Sequence, residues 1–170
     1  SCSNTGVYTI EASFETAKPK NLGAVGSLLG NTAEARFSGG ATANDGQTYG
    51  NRFSPKDRID VDASIEIDPQ HIGHAGYLVA AAFLGDQVLM LDALGNFVPV
   101  DPEVVAAGDF PVARSGVLFP TESLKLLNGI VPGQLGVRSA DIDFLIGYGL
   151  SSLPGEVFFP RRPINLRIAE

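Results

Sequence analysis

Two groups of residues carry chemistry in their types and spacing. Asp57, Asp60, Asp62, Glu66 and Asp68 crowd one short run, and His71-Ile72-Gly73-His74 follows it directly. Carboxylate oxygens are hard ligands of the kind calcium takes. Asp60, Asp62 and Asp68 are therefore the candidate metal ligands, with Asn44, Asp45, Asp141 and Asp143 as residues that converging loops could add. Same-face neighbours on a strand sit about 7 Å apart, so one strand cannot chelate an ion alone. Asp68, His71 and His74 would offer zinc a carboxylate and two imidazoles. Pro69 and Gly73 break any helical spacing among them, and no further histidine or nearby cysteine completes a tetrahedral set. The competing reading of the acids is a solubilising strand face, paired with Arg58, Arg138 or Arg167 on neighbouring strands.

Nucleophilic chemistry finds no footing. Ser115-Gly116 and Ser38-Gly39-Gly40 lack the context of a nucleophile elbow. Gly23, Gly26 and Gly30 lack the lysine-hydroxyl pair of a phosphate loop. The HIGH tetrapeptide at 71–74 matches that of class I aminoacyl-tRNA synthetases, yet the chain has neither a nucleotide-binding strand-helix pattern nor a lysine-rich loop to accompany it. Sugar platforms rely on exposed aromatics, and this chain has no Trp and four Tyr. The expectation is a chain that is not an enzyme, with no catalytic residues and no cofactor apart from a candidate calcium ion.

The elements that must position these residues are strands. Ile59, Val61, Ala63, Ile65 and Ile67 share one parity, and Asp60, Asp62, Ser64, Glu66 and Asp68 share the other. A strand sends successive side chains to opposite faces, so this run has one apolar and one acidic face. Residues 7–15 alternate likewise, with Tyr8, Ile10, Ala12 and Phe14 on one side. Further strands are expected at 33–37 (ending at Gly39-Gly40), 77–84, 87–91, 97–100, 113–119, 121–127, 140–150, 157–159 and 164–168. Residues 18–32 read as a long loop holding a short helical turn. Turns are expected at Asp45-Gly46, Ser54-Pro55-Lys56-Asp57, Gly85-Asp86, Gly95-Asn96, Asn128-Gly129, Pro132-Gly133 and Pro154-Gly155. Asp101-Pro102-Glu103 is a helix start, and Gly108 limits that helix to 102–107. Pro160 and Pro163 flank Arg161-Arg162 and keep that segment from pairing along its length.

The whole is an all-β, antiparallel sandwich with one short helix, in a single domain over 1–170. With 20 Gly, 11 Pro and a formal charge of −7, the chain suits many turns and argues against a nucleic-acid backbone as partner. The one cysteine, Cys2, excludes an internal disulfide framework.

From Phe53 onward the chain resembles an immunoglobulin-like sandwich module recurring in bacterial extracellular and outer-membrane proteins. The resemblance rests on Phe53-Ser54-Pro55, Asp57-Arg58-Ile59, Asp68-Pro69-Gln70-His71-Ile72-Gly73, Leu91-Asp92-Ala93-Leu94-Gly95-Asn96-Phe97, Gly147-Tyr148 and Pro163-Ile164. It leaves 1–50 outside and implies a structural or adhesive module, extracytoplasmic at the cell surface, outer membrane-associated or secreted. Its partner would be a protein or a second copy, through surface contact or strand addition by Tyr8, Ile10, Ala12 and Phe14. The alternative is a module binding glycan or calcium. The start Ser-Cys-Ser-Asn, without Met, suggests a processed protein and resembles the anchored end of a bacterial lipoprotein, which makes Cys2 a candidate lipid anchor; an ordinary free thiol is the other reading.

Overall fold

The computed structural model describes residues 19–46 and 49–170. Cys2 and the 7–15 run lie outside the described residues. The strands are β1 (Lys20–Asn21), β2 (Val25–Ser27), β3 (Arg36–Ala43), β4 (Arg52–Phe53), β5 (Ile59–Glu66), β6 (Ala75–Leu84), β7 (Gln87–Leu91) and β8 (Phe97–Pro99). The short helix α1 (Pro102–Ala106) follows, then β9 (Arg114–Val117), β10 (Thr121–Ile130), a 3-10 turn at Pro132–Leu135, β11 (Ala140–Leu150), β12 (Phe158–Pro160) and β13 (Ile164–Ile168). They form a small four-stranded sheet, β1-β3-β5-β10, and a large nine-stranded sheet built on the long pair β6 and β11. β2 and β12, then β13 and β4, line the β11 side; β7 and β8, then β9, line the β6 side. All pairings are antiparallel except that of β4 with β13.

The inner faces meet in one core. Phe37, Ile59, Val61 and Ile65 of the small sheet are fully buried with Leu78, Phe144, Tyr148 and Leu166 of the large one. Phe37 and Tyr148 stack across the interface with ring centroids 6.2 Å apart. β5 alternates as its sequence requires, inward at 59, 61, 63 and 65, and outward at 60, 62, 64 and 66.

Several local expectations change. Residues 18–32 hold two short strands, β1 and β2, in different sheets, with no helical turn among the described residues. β3 runs through Gly39-Gly40, which reads as a stop in sequence. The two glycines serve close packing: a Cβ at Gly39 would lie 2.9 Å from the Asp62 carbonyl oxygen and closer still to Ile164. The following turn centres on Asn44 and Asp45, both at positive φ (54° and 58°), one residue earlier than Asp45-Gly46. Asn128-Gly129 is no hairpin turn but an irregularity inside β10, where Gly129 (φ 64°) donates its N–H to Asp60 Oδ1 at 2.8 Å. The helix forms where expected: Asp101 Oδ1 accepts from the Glu103 N–H at 3.1 Å, and Gly108 (φ 79°) ends it.

Candidate functional site

β10 is the outermost strand of the small sheet and pairs only with β5 among the described residues. Glu122, Leu124 and Leu126 turn inward, while Thr121, Ser123 and Lys125 are exposed. The register places Thr121 opposite Glu66, Ser123 opposite Ser64 and Lys125 opposite Asp62. Just before β10, the Ile67 N–H donates to the Pro120 carbonyl at 3.0 Å. Hydrogen-bonded pairs alternate with non-bonded ones in an antiparallel ladder. Residues 122 and 124 therefore aim their backbone groups at β5, as Pro120 does. Thr121, Ser123 and Lys125 aim theirs away from it: three N–H donors and three C=O acceptors along an open edge.

Side chains brace this edge. Glu122 is buried; it accepts from Arg114 Nε at 3.2 Å, from Arg114 Nη2, and from the Phe119 N–H at 2.8 Å. The Arg114 guanidinium also lies 5.6 Å from the centre of the Phe119 ring. Lys125 Nζ sits 2.9 Å from Asp62 Oδ1 and 3.6 Å from Asp60 Oδ1. Its hydrogen bond to Asp62 raises the ammonium pKa above the ordinary lysine value. Large apolar side chains flank the edge in sequence, with Val117 (50% exposed) and Phe119 (57%) before it and Leu135 (68%) after it.

A second feature lies on the opposite side of the molecule. The outer face of the large sheet is apolar and carries a groove of about 340 Å³. Val79, Ala81 and Phe83 of β6, Met90 of β7, Leu145 of β11 and Phe159 of β12 belong to its lining, and Val105 of α1 with Phe110 walls one side. No lining side chain is charged.

The acids foreseen as calcium ligands do not converge. Asp60 and Asp62 share the outer face of β5 with the Lys125 ammonium beside them, so a lysine occupies the place assigned to arginine. Arg58, Arg138 and Arg167 pair instead with Asp45, Glu170 and Asp141. Asp68 breaks the parity of the acidic face. It is 6% exposed and accepts N–H bonds from Glu34 (2.6 Å) and Gln70 (2.8 Å), tying the chain before β3 to the turn after β5. Burial pushes its carboxyl up, but these two bonds and nearby His71 outweigh burial and hold it below the ordinary aspartate value. Among the described residues no three His, Cys, Asp or Glu side chains gather to hold a metal ion.

The histidines part company as well. His71 Nδ1 lies 2.8 Å from the Tyr148 hydroxyl, and its ring stacks on Phe158 at 5.2 Å; His74 is exposed. Burial pushes the Tyr148 hydroxyl pKa well up, so the phenol stays protonated. This arrangement ties the turn after β5 to the end of the core. Arg161-Arg162 is exposed between β12 and β13.

Two buried acids went unforeseen, Glu122 and Glu156. Glu156 is fully buried and accepts from the Leu29 N–H (2.9 Å), Asn31 Nδ2 (2.7 Å), the Asn31 N–H (3.3 Å) and the Val157 N–H (3.0 Å). Burial raises its carboxyl pKa, but these bonds more than offset that and leave it lowered. Parity was the available signal: Glu122 falls in step with Leu124 and Leu126, and Glu156 with Phe158. Comparisons with known protein families, curated proteins and solved structures give no match.

Proposed function

We propose that this domain is a non-catalytic assembly or adhesion module that works by protein–protein contact, adding an extended segment of a partner to the β10 edge. The observation that carries this reading is the row of backbone groups at Thr121, Ser123 and Lys125, which no described strand satisfies. In β-strand addition, main-chain hydrogen bonds supply affinity and alternate side chains supply selectivity. Exposed Val117 and Phe119 give the partner apolar surface to cover. Lys125 and the irregularity beyond it shorten the usable edge, which limits indiscriminate pairing. An extracytoplasmic setting belongs to the same proposal, supported by the resemblance to bacterial surface modules. No described helix is long and apolar enough to cross a membrane.

Ser123→Pro tests the reading. Ser123 directs its N–H away from β5, so proline there removes no ladder bond while its ring obstructs an incoming strand. Association measured by sedimentation should weaken at least about tenfold, the equivalent of roughly one lost hydrogen bond plus steric exclusion. Unchanged association with unchanged circular dichroism would overturn the proposal.

Ligand binding is the second reading, and the groove directs it toward an apolar ligand. A groove without polar lining gives a glycan nothing to hydrogen-bond. Ala81→Trp fills the floor and should abolish fluorescence enhancement of a hydrophobic dye. A dye response equal to that of the unaltered chain would remove the groove from consideration.

A further inference from the structure

We infer that the groove on the large sheet takes a single-chain anionic amphiphile, a fatty acid of about a dozen carbons, with its carboxylate at Arg161. This rests on the groove as a ligand site, the second reading above, and names its occupant.

Size and lining select a hydrocarbon chain. The groove crosses the strands, from Phe159 on β12 over Gly147 on β11 and Val79 on β6 to Met90 on β7. That is three interstrand spacings, or about 14 Å. Its 340 Å³, at about 30 Å³ for a group the size of a water, holds roughly eleven methylenes. A space of that size takes a small molecule and not the face of a second domain. A peptide strand laid there would bury its backbone N–H and C=O groups among side chains that cannot bond them. A hydrocarbon chain brings no such groups. Leu28 lines the groove and is nonetheless exposed. Its N–H donates to the Val157 carbonyl at 3.2 Å, and the next N–H, of Leu29, donates to buried Glu156 at 2.9 Å. The β12 side of the groove is thus a fixed apolar wall that a chain would cover.

Charge sets the head group and its direction. Val157 and Phe159 both line the groove. The ladder between β2 and β12 continues past them: Phe159 stands opposite Gly26, and the Arg161 N–H donates to the Ala24 carbonyl at 2.8 Å. Arg161 therefore keeps the outward parity of Val157 and Phe159 and follows Phe159 by about 7 Å, at the rim of the groove. Arg161 and Arg162 are exposed, and among the described residues neither forms an ion pair. The other end of the groove has the opposite sign. Pro102 and Val88 line it there, and Asp101, Glu103 and Asp86 stand within two residues of them in sequence. An anionic head is attracted to the β12 end and repelled from the α1 end. Asp101 is already engaged in capping α1 through the Glu103 N–H, which leaves a cationic head the poorer match.

Calorimetric titration of the full chain with octanoate, decanoate and dodecanoate, each below its micelle-forming concentration, tests the inference. Each added pair of methylenes should tighten binding about tenfold, and lengthening beyond dodecanoate should add little once the groove is full. Dodecanol and dodecyltrimethylammonium should bind at least about fivefold more weakly than dodecanoate, the scale of one exposed ion pair. Arg161→Glu should remove that advantage while leaving dodecanol binding and the circular dichroism spectrum unchanged. If dodecanol equals dodecanoate and Arg161→Glu changes neither, the carboxylate site falls and the apolar-ligand reading survives. Failure of dodecanoate to bind overturns the inference; a hydrophobic dye that still responds then keeps the apolar-ligand reading, and a dye that does not removes both. Dodecanoate binding undiminished in a folded Ala81→Trp, or binding seen only on anionic vesicles, overturns the inference as well.

Discussion

The two sheets bury their inner faces in the same way and treat their outer faces in opposite ways. On β5 the outward positions are Asp60, Asp62, Ser64 and Glu66, solvated and steadied by Lys125. On β6 the outward positions are Tyr77, Val79, Ala81 and Phe83, and on β11 they include Leu145. That second face needs cover of its own. It receives part of it from Val100, Val105, Phe110 and Val112, which pack over Val79, Met90 and Val157, and the remainder is the groove. The small sheet thus presents a polar face with an open edge, and the large sheet an apolar face with short edges. An addressable backbone and an addressable apolar surface occupy different sides of one sandwich.

The contrast predicts unequal responses to the same kind of substitution. Val79→Asp, which places a charge under the helix-side cover, should cost roughly 3 kcal/mol or more, the scale of an unpaired buried polar group. Asp62→Ala on the opposite outer face should cost less than about 1 kcal/mol, as expected for a half-exposed ion pair. Denaturant melts of the two variants check this, and equal losses would erase the distinction between the faces.

Glu156→Gln comes next in size. It retains the shape but sets an amide against N–H donors that need an acceptor, for a loss of about 1–3 kcal/mol. The accompanying pH dependence has a definite sign. Glu156 and Asp68 both have carboxyl pKa values lowered by folding. The stability they contribute is complete above the ordinary carboxylate range and is lost as pH falls through their folded values. Urea midpoints should therefore fall on acidification below about pH 4, and Glu156→Gln should flatten part of that decline. A midpoint that rises on acidification would contradict the assignment. Lys125→Met should likewise cost within about 1 kcal/mol, because Asp62 stays largely solvated and Asp60 keeps its hydrogen bond from Gly129.

The sequence disclosed the sandwich through parity. The strict alternation at 59–66 and the doubly apolar run at 77–84 both mark their burial in residue order alone. Gly39-Gly40 and Asn128-Gly129 misled because the same residues serve turns and close approaches. Only the tertiary neighbours Ile164, Asp62 and Asp60 separate the two uses. The acidic ladder was legible as a face but not in its ending, since Asp68 is drawn inward by backbone N–H groups from a distant segment. The β10 edge was less visible still. An open edge is a property of sheet order, which residue pattern does not encode.

Amide hydrogen exchange on β10, followed as protein concentration rises, is the most direct test of the open edge as the site of contact. In dilute protein the Thr121, Ser123 and Lys125 amides should exchange quickly while those of Glu122 and Leu124 are protected, and assembly should slow the first three. Slow exchange at all five in the dilute monomer, or assembly that leaves those three fast, would contradict it.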